Sequence, residues 1–144
     1  MFKSTLLALY LLANLSSAAT VAIGQEVKRP IQRVFLGSFG NEDYGAWFRL
    51  LVEEELIANG FQIVAATEKP DATLAGIIVR QTPADPSGSQ YPEGLVRLHL
   101  PSGKVVWRYR PTGGLGNHTS PPEAGRLVKA LIKAIDDGQI ASGD

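Results

Sequence analysis

The densest candidate for chemistry in this sequence is GGLGNHTSPPEAG, Gly113 to Gly125. Glycines ahead of a helix-forming run are the pattern of a phosphate cradle, in which loop amides and the free N–H groups of a first helical turn hold an anion. The residue types here undo that reading. Ser120 is the natural N-cap, so Pro121 and Pro122 fill the first two helical positions, where neither has an N–H to donate. In the S-x-x-E box that follows, the Ser120 hydroxyl accepts from the amide of Glu123, and Glu123 itself sets a negative charge where a phosphate would lie. The pattern G-x-x-x-x-G-K-[ST] is also missing, because Gly103-Lys104-Val105 lacks the hydroxyl. The stretch predicts a loop and a helix start, with no nucleotide site.

Other reactive groups are few. The two histidines, His99 and His118, have no acid or histidine at metal-ligand spacing, and a zinc site needs three or four ligands. His99 is expected half-buried on a strand and His118 solvated in the loop. No G-x-S-x-G supports a serine nucleophile. Asn117-His118-Thr119 is a sequon that has meaning only in a eukaryotic secretory pathway. These readings give no catalytic residue, no cofactor and no metal. What remains is a basic cluster, Arg97, Lys104, Arg108 and Arg110. It reads either as charge protecting a sheet edge or as a binding strip.

The elements that must carry these residues follow from periodicity. RVFLGSF (Arg33 to Phe39) is apolar on both faces, which suits a central strand. In YGAWFRLLVEEELIANGF, the residues Tyr44, Trp47, Phe48, Leu51, Val52 and Leu56 recur at three- and four-residue steps, an amphipathic helix. Gly60 can end that helix in the left-handed conformation, with Phe61 folding back on Leu56. FQIVAA (Phe61 to Ala66) reads as a second strand, parallel to the first across the helical crossover. ATLAGIIVRQ (Ala72 to Gln81) reads as a third, with Gly76 marking close backbone approach or a bulge.

A long loop is expected from Thr82 to Gly94, stiffened by Pro83, Pro86 and Pro92 and carrying Tyr91. The alternating runs LVRLHL and KVVWRYR, joined by Pro101-Ser102-Gly103, predict an antiparallel hairpin. In the last helix, Ala124, Leu127, Val128, Leu131, Ile132 and Ile135 form the apolar stripe, with Lys129 and Lys133 opposite and Gly138 at the end. The expected fold class is α+β: a mixed β-sheet with two helices on one face, in the order β-α-β-β-β-β-α.

Residues 1–24 differ from the rest. Lys3 is their one charge, Leu6 to Leu15 is an apolar run, and small residues follow, the architecture of a secretory signal peptide. The run is too short to span a bilayer. Cleavage after Ala19 or Gly24 fits. The expected organisation is a signal peptide at 1–24, one α+β domain at 25–138 and a flexible tail at 139–144. The whole chain has a formal net charge of +0, and without Lys3 it carries one excess acid, which argues against nucleic acid as a partner. No cysteine is present, so the chain offers neither a disulfide framework nor a thiol for lipid attachment. A bacterial periplasmic or secreted protein with no stable membrane anchor after cleavage is the easier reading.

Four segments in order, RVFLGSFGN, LIANGFQIV, KPDATLAGIIV and LVRLHLPSGKVVWRY, resemble an envelope domain. That domain is shared by the curli-secretion lipoproteins, the lipoprotein activators of penicillin-binding proteins and the N-terminal domain of TolB-like proteins. The resemblance spans nearly the whole mature chain. It implies a βαβ-based sheet used for protein–protein contact in the cell envelope, with no catalytic residue. The chain departs from the group in lacking the lipobox cysteine and the membrane-inserting segments of the curli pore. The functional expectation is a non-enzymatic exported binding or assembly module with an envelope protein partner. Tyr91, Arg97, Arg108 and Arg110 are its contact residues. The alternatives are a polyanion or glycan binder using the hairpin arginines, and a small hydrolase built on His118.

Overall fold

In the computed structural model of the chain, residues 29–41, 43–81, 91–111 and 121–140 are described, with backbone alone for 79–81 and 91–93. The elements are β1 (Arg33–Leu36), α1 (Asp43–Ala58), β2 (Gln62–Ile63), a 3₁₀ turn (Ala66–Glu68), β3 (Ala72–Gln81), β4 (Tyr91–His99), β5 (Val105–Tyr109) and α2 (Pro121–Asp136). They form the expected α+β fold, a five-stranded sheet in the order β2-β1-β3-β4-β5. β1 pairs in parallel with β2 and β3; β3, β4 and β5 pair antiparallel. β1 is therefore an inner strand, which is why both of its faces are apolar.

The core lies on one side of the sheet. Alternate strand residues Val34, Leu36, Leu74, Ile78, Val96 and Leu98 bury against Phe48, Val52 and Leu56 of α1 and Leu127, Val128 and Leu131 of α2. Because side chains alternate along a strand, the intervening residues point to the other face, which no helix among the described residues covers. No helix among the described residues is long and apolar enough to cross a membrane.

Local chemistry closes the ends. Gly60 has φ 86°, its N–H donates to the Ile57 carbonyl at 3.0 Å, and Phe61 N–H donates to the Leu56 carbonyl at 3.1 Å. This is the Schellman pair expected from Asn59-Gly60-Phe61. Asp71 pins the start of β3 to β1: its Oδ2 accepts from the N–H groups of Gln32 at 2.9 Å and Arg33 at 2.8 Å. Arg49, on α1, donates through Nε to the Gly37 carbonyl and through Nη2 to the Leu36 carbonyl, each at 3.1 Å, tying the helix to the end of β1. Gly76 meets the backbone as its position in a strand implied: a Cβ there would sit 2.6 Å from the Leu95 carbonyl oxygen.

Four expectations change. The second strand is only Gln62–Ile63; the Ala65 N–H is taken at 2.6 Å by the Glu68 carboxylate, which turns the chain out of the sheet. The loop expected to run to Gly94 is shorter, because β4 begins at Tyr91 and pairs with β3 from Gln81↔Tyr91 through Thr73↔His99. Pro92 had argued for a loop, yet the β5 ladder stops at Val96, so that end of β4 has one neighbouring strand. Trp47, counted in the buried stripe of α1, is 54% exposed. Finally, Ile140, within the segment read as a tail, is only 1% exposed and belongs to the core.

Candidate partner-binding face

The clustered titratable groups inside the fold form a lock. Glu123 has no exposed surface. The Tyr109 hydroxyl donates to it at 2.7 Å, and Arg126 donates through Nε at 2.9 Å and through Nη2. Burial first, then the hydrogen bond to Glu123, pushes the Tyr109 hydroxyl up from 10.0 to about 12. A phenol held protonated against a carboxylate is a poor base, and the carboxylate has its oxygens engaged. The arrangement ties β5 to the first turn of α2. Trp107 stacks on Tyr109 with ring centroids 5.8 Å apart and extends the same contact. Ser120, the expected capping partner of Glu123, lies outside the described residues, as does His118, on which the hydrolase reading rests. No group of three or more metal-ligating side chains occurs among the described residues.

The uncovered sheet face is built differently. Register sets Ala75 of β3 opposite Arg97 of β4, and Arg97 opposite Arg108 of β5. Thr73 faces His99 in the row on one side, and Ile77 faces Leu95 in the row on the other. A shallow groove of about 210 Å³ runs between β3 and β4, lined by Ala75, Gly76, Ile77, Leu95, Arg97 and His99. Ile77 is 61% exposed, and Arg97 and Arg108 are exposed. Among the described residues, neither arginine has a carboxylate partner. Two like charges placed directly across an antiparallel pair repel, a local cost of a few tenths of a kcal/mol or more. The face is thus apolar at its floor and cationic at one side.

The sequence-predicted site residues separate into two places. Arg97 and Arg108 are cross-strand neighbours, and His99 is half-buried beside them, as expected. Arg110 is exposed just past the end of β5. Tyr91 does not sit on a loop; its backbone is in β4, six residues before Arg97, a distance of about 20 Å along a strand. Sequence reasoning missed Ile77 as a surface residue. The signal was the adjacent pair Ile77-Ile78, since in a strand only one of two neighbours can face the core. Among the described residues, the other apolar exposure is on α1, where Leu50 and Ile57 join Trp47 in solvent.

A second, larger hollow of about 410 Å³ lies between residues 29–32 and 59–62 at the other side of the sheet. Arg29 crosses it. Its guanidinium lies 5.5 Å from the Phe61 ring centroid, donates to the Asn59 carbonyl at 3.1 Å and pairs with Asp136 at 3.5 Å. With Ile31 buried, this segment is packed onto the domain, and the arginine is already engaged.

No protein-family model and no curated protein matches the chain. Solved structures do. The fold is similar to that of a PelC variant from Paraburkholderia phytofirmans, solved as a dodecamer, at 17% identity and a TM-score of 0.51, over 72% of this chain and 88% of that one. Lipoprotein GNA1162 from Neisseria meningitidis is similar at 15% identity and a TM-score of 0.40, over 74% and 99%. An uncharacterized lipoprotein B from Nitrosomonas europaea is similar at 18% identity and a TM-score of 0.33, over 77% and 81%. At these identities, what the chain shares with PelC is its fold.

Proposed function

We propose that this chain is a non-enzymatic exported module of the bacterial cell envelope, acting by protein contact through the uncovered face of its sheet. One observation carries the reading: Arg97 and Arg108 stand opposite each other beside an apolar groove, with no carboxylate partner among the described residues. A protein surface that keeps two facing arginines and an exposed isoleucine resembles the aromatic- and arginine-rich anchors of interfaces more than a solvated edge. The leader architecture of residues 1–24 and the resemblance to the curli-secretion, penicillin-binding-protein activator and TolB-like group support export, periplasmic location and assembly work. PelC, which shares the fold, assembles as a dodecamer. The mature working unit is the single domain that follows the leader and includes Ile140 in its core.

The test is site-specific photo-crosslinking in the source cell. A crosslinker replacing Arg108 should give discrete protein adducts. The same probe at Gln139, exposed past the end of α2, should give none. Adducts of equal yield at both positions, or none at Arg108, would sink the reading. The unpaired arginines also favour a second reading, a polyanion or glycan ligand. Capture of heparin or an acidic polysaccharide that weakens steeply between 0.05 and 0.5 M salt, with no protein adduct at Arg108, would select it.

A further inference from the structure

Among the described residues, two surfaces on opposite layers of the molecule have no element packed on them. One is the sheet face just described. The other is the outward side of α1. Its buried residues Phe48, Val52 and Leu56 point to the core, while Trp47, Leu50 and Ile57 are 54%, 50% and 55% exposed. At 100° per residue, those three and Glu54 fall within an arc of about 80°, directly away from the core. Glu54 is exposed and, among the described residues, has no cationic partner. Asp43, also exposed, continues the stripe at the start of the helix. A surface helix ordinarily sets charges on this side. Here it carries large apolar side chains with acids among them.

The two faces are complementary. The helix stripe is apolar and acidic; the sheet face is apolar and basic. We infer that the occupant of the sheet face is a second copy of this chain, whose α1 stripe of Trp47, Leu50, Glu54 and Ile57 seats on the groove beside Ile77, with Glu54 brought to Arg97 and Arg108. This rests on the preceding reading of the sheet face and names its partner. Identical faces would set arginine on arginine or glutamate on glutamate, so charge disfavours a two-fold pairing of either surface with itself. A helix-to-sheet contact is heterologous. Each copy that docks leaves one helix face and one sheet face free, and the assembly grows until rotation closes a ring or a filament forms.

Sedimentation velocity of the exported protein, purified full-length as processed by the cell, tests this. The wild type should assemble with rising concentration, and raising salt from 0.05 to 0.5 M should weaken assembly severalfold, since Glu54 must pair with the arginines at a partly exposed rim. Leu50→Lys places a cation against the basic face, and Ile77→Glu places an acid against the acidic stripe. Each should raise the dissociation constant at least tenfold, with the wild-type melting temperature at dilutions where all the proteins are monomeric. Mixed together, the two variants should associate where neither does alone, because one keeps its sheet face and the other its helix stripe.

If either variant fails to fold, Ile57→Lys and Ala75→Glu replace them. A wild type that stays monomeric to millimolar concentration overturns the proposal, as does assembly abolished by one variant and untouched by the other. A monomeric protein that still crosslinks a different polypeptide at Arg108 would overturn this inference alone. A monomer with no adduct there would remove the reading beneath it as well.

Discussion

Tyr109→Phe isolates the lock between β5 and α2. The substitution keeps the ring, its stacking on Trp107 and its packing, and deletes one hydroxyl that donates at 2.7 Å to a carboxylate with no exposed surface. A hydrogen bond to a charged group contributes about 1.5–3 kcal/mol net. Arg126 remains on Glu123 through two N–H groups, so the carboxylate is not left bare. The expected loss is therefore about 2 kcal/mol, a lowering of the urea midpoint by roughly 1 M with an unchanged slope.

The pH dependence gives an independent reading of the same bond. Tyr109 is raised from 10.0 to about 12 in the folded protein, chiefly by burial and then by Glu123. Below pH 10 the phenol is protonated in both states and its contribution is fully present. Between pH 10 and 12 the unfolded phenol ionises while the folded one does not, so stability falls through that window. Two pH units correspond to about 2.7 kcal/mol at most, and to less for a hydroxyl partly open to solvent. Subtracting the variant's stability profile from the wild type's should leave a difference that shrinks across this window. A variant within about 0.5 kcal/mol of wild type, a margin typical of inert surface changes, and with a parallel pH profile would refute the lock.

Three further outcomes are expected. Arg108→Ala should leave stability unchanged or raise it by about 0.2–1 kcal/mol by relieving the facing charge of Arg97; a clear loss in urea unfolding would mean that the arginine serves the fold. Gly76→Ala should destabilise by about 2 kcal/mol or more, because its Cβ must displace the Leu95 carbonyl at 2.6 Å. Gly60→Ala, at φ 86° with nothing within 4 Å, should cost only about 1 kcal/mol of left-handed strain; thermal melts that reverse this ranking would contradict both assignments. Mass spectrometry of protein from the source cell should place its N-terminus between Thr20 and Gln25, and an intact Met1 would remove the export assignment.

Local physics was legible without the fold. The end of α1 depends on three consecutive residues, Asn59, Gly60 and Phe61, and on hydrogen bonds that span one turn, so it could be read directly. The parallel β1/β2 pair and the β4/β5 hairpin followed from a helical crossover and a Gly-containing turn, both short-range constraints. The open second face of the sheet followed from the count of helices available to cover it.

What depended on distant neighbours was not legible. Glu123 has a sufficient local meaning as a capping residue; only the tertiary fold brings Tyr109 to it and buries it completely. Trp47 satisfies the apolar period of α1, but the stripe is wider than the contact, and the direction of the helix on the sheet decides which apolar residues stay in water. Tyr91 reads as loop because Pro92 and Gly94 follow it, yet pairing with β3 across one flank is enough to hold them in a strand. Arg97 and Arg108 sit on separate strands, and a register shift of one residue would turn either of them to the core. Their opposition, and the placement of an acidic apolar helix stripe on the far layer, come from register and layer packing. Those are sums over many long-range contacts that no short window of sequence contains.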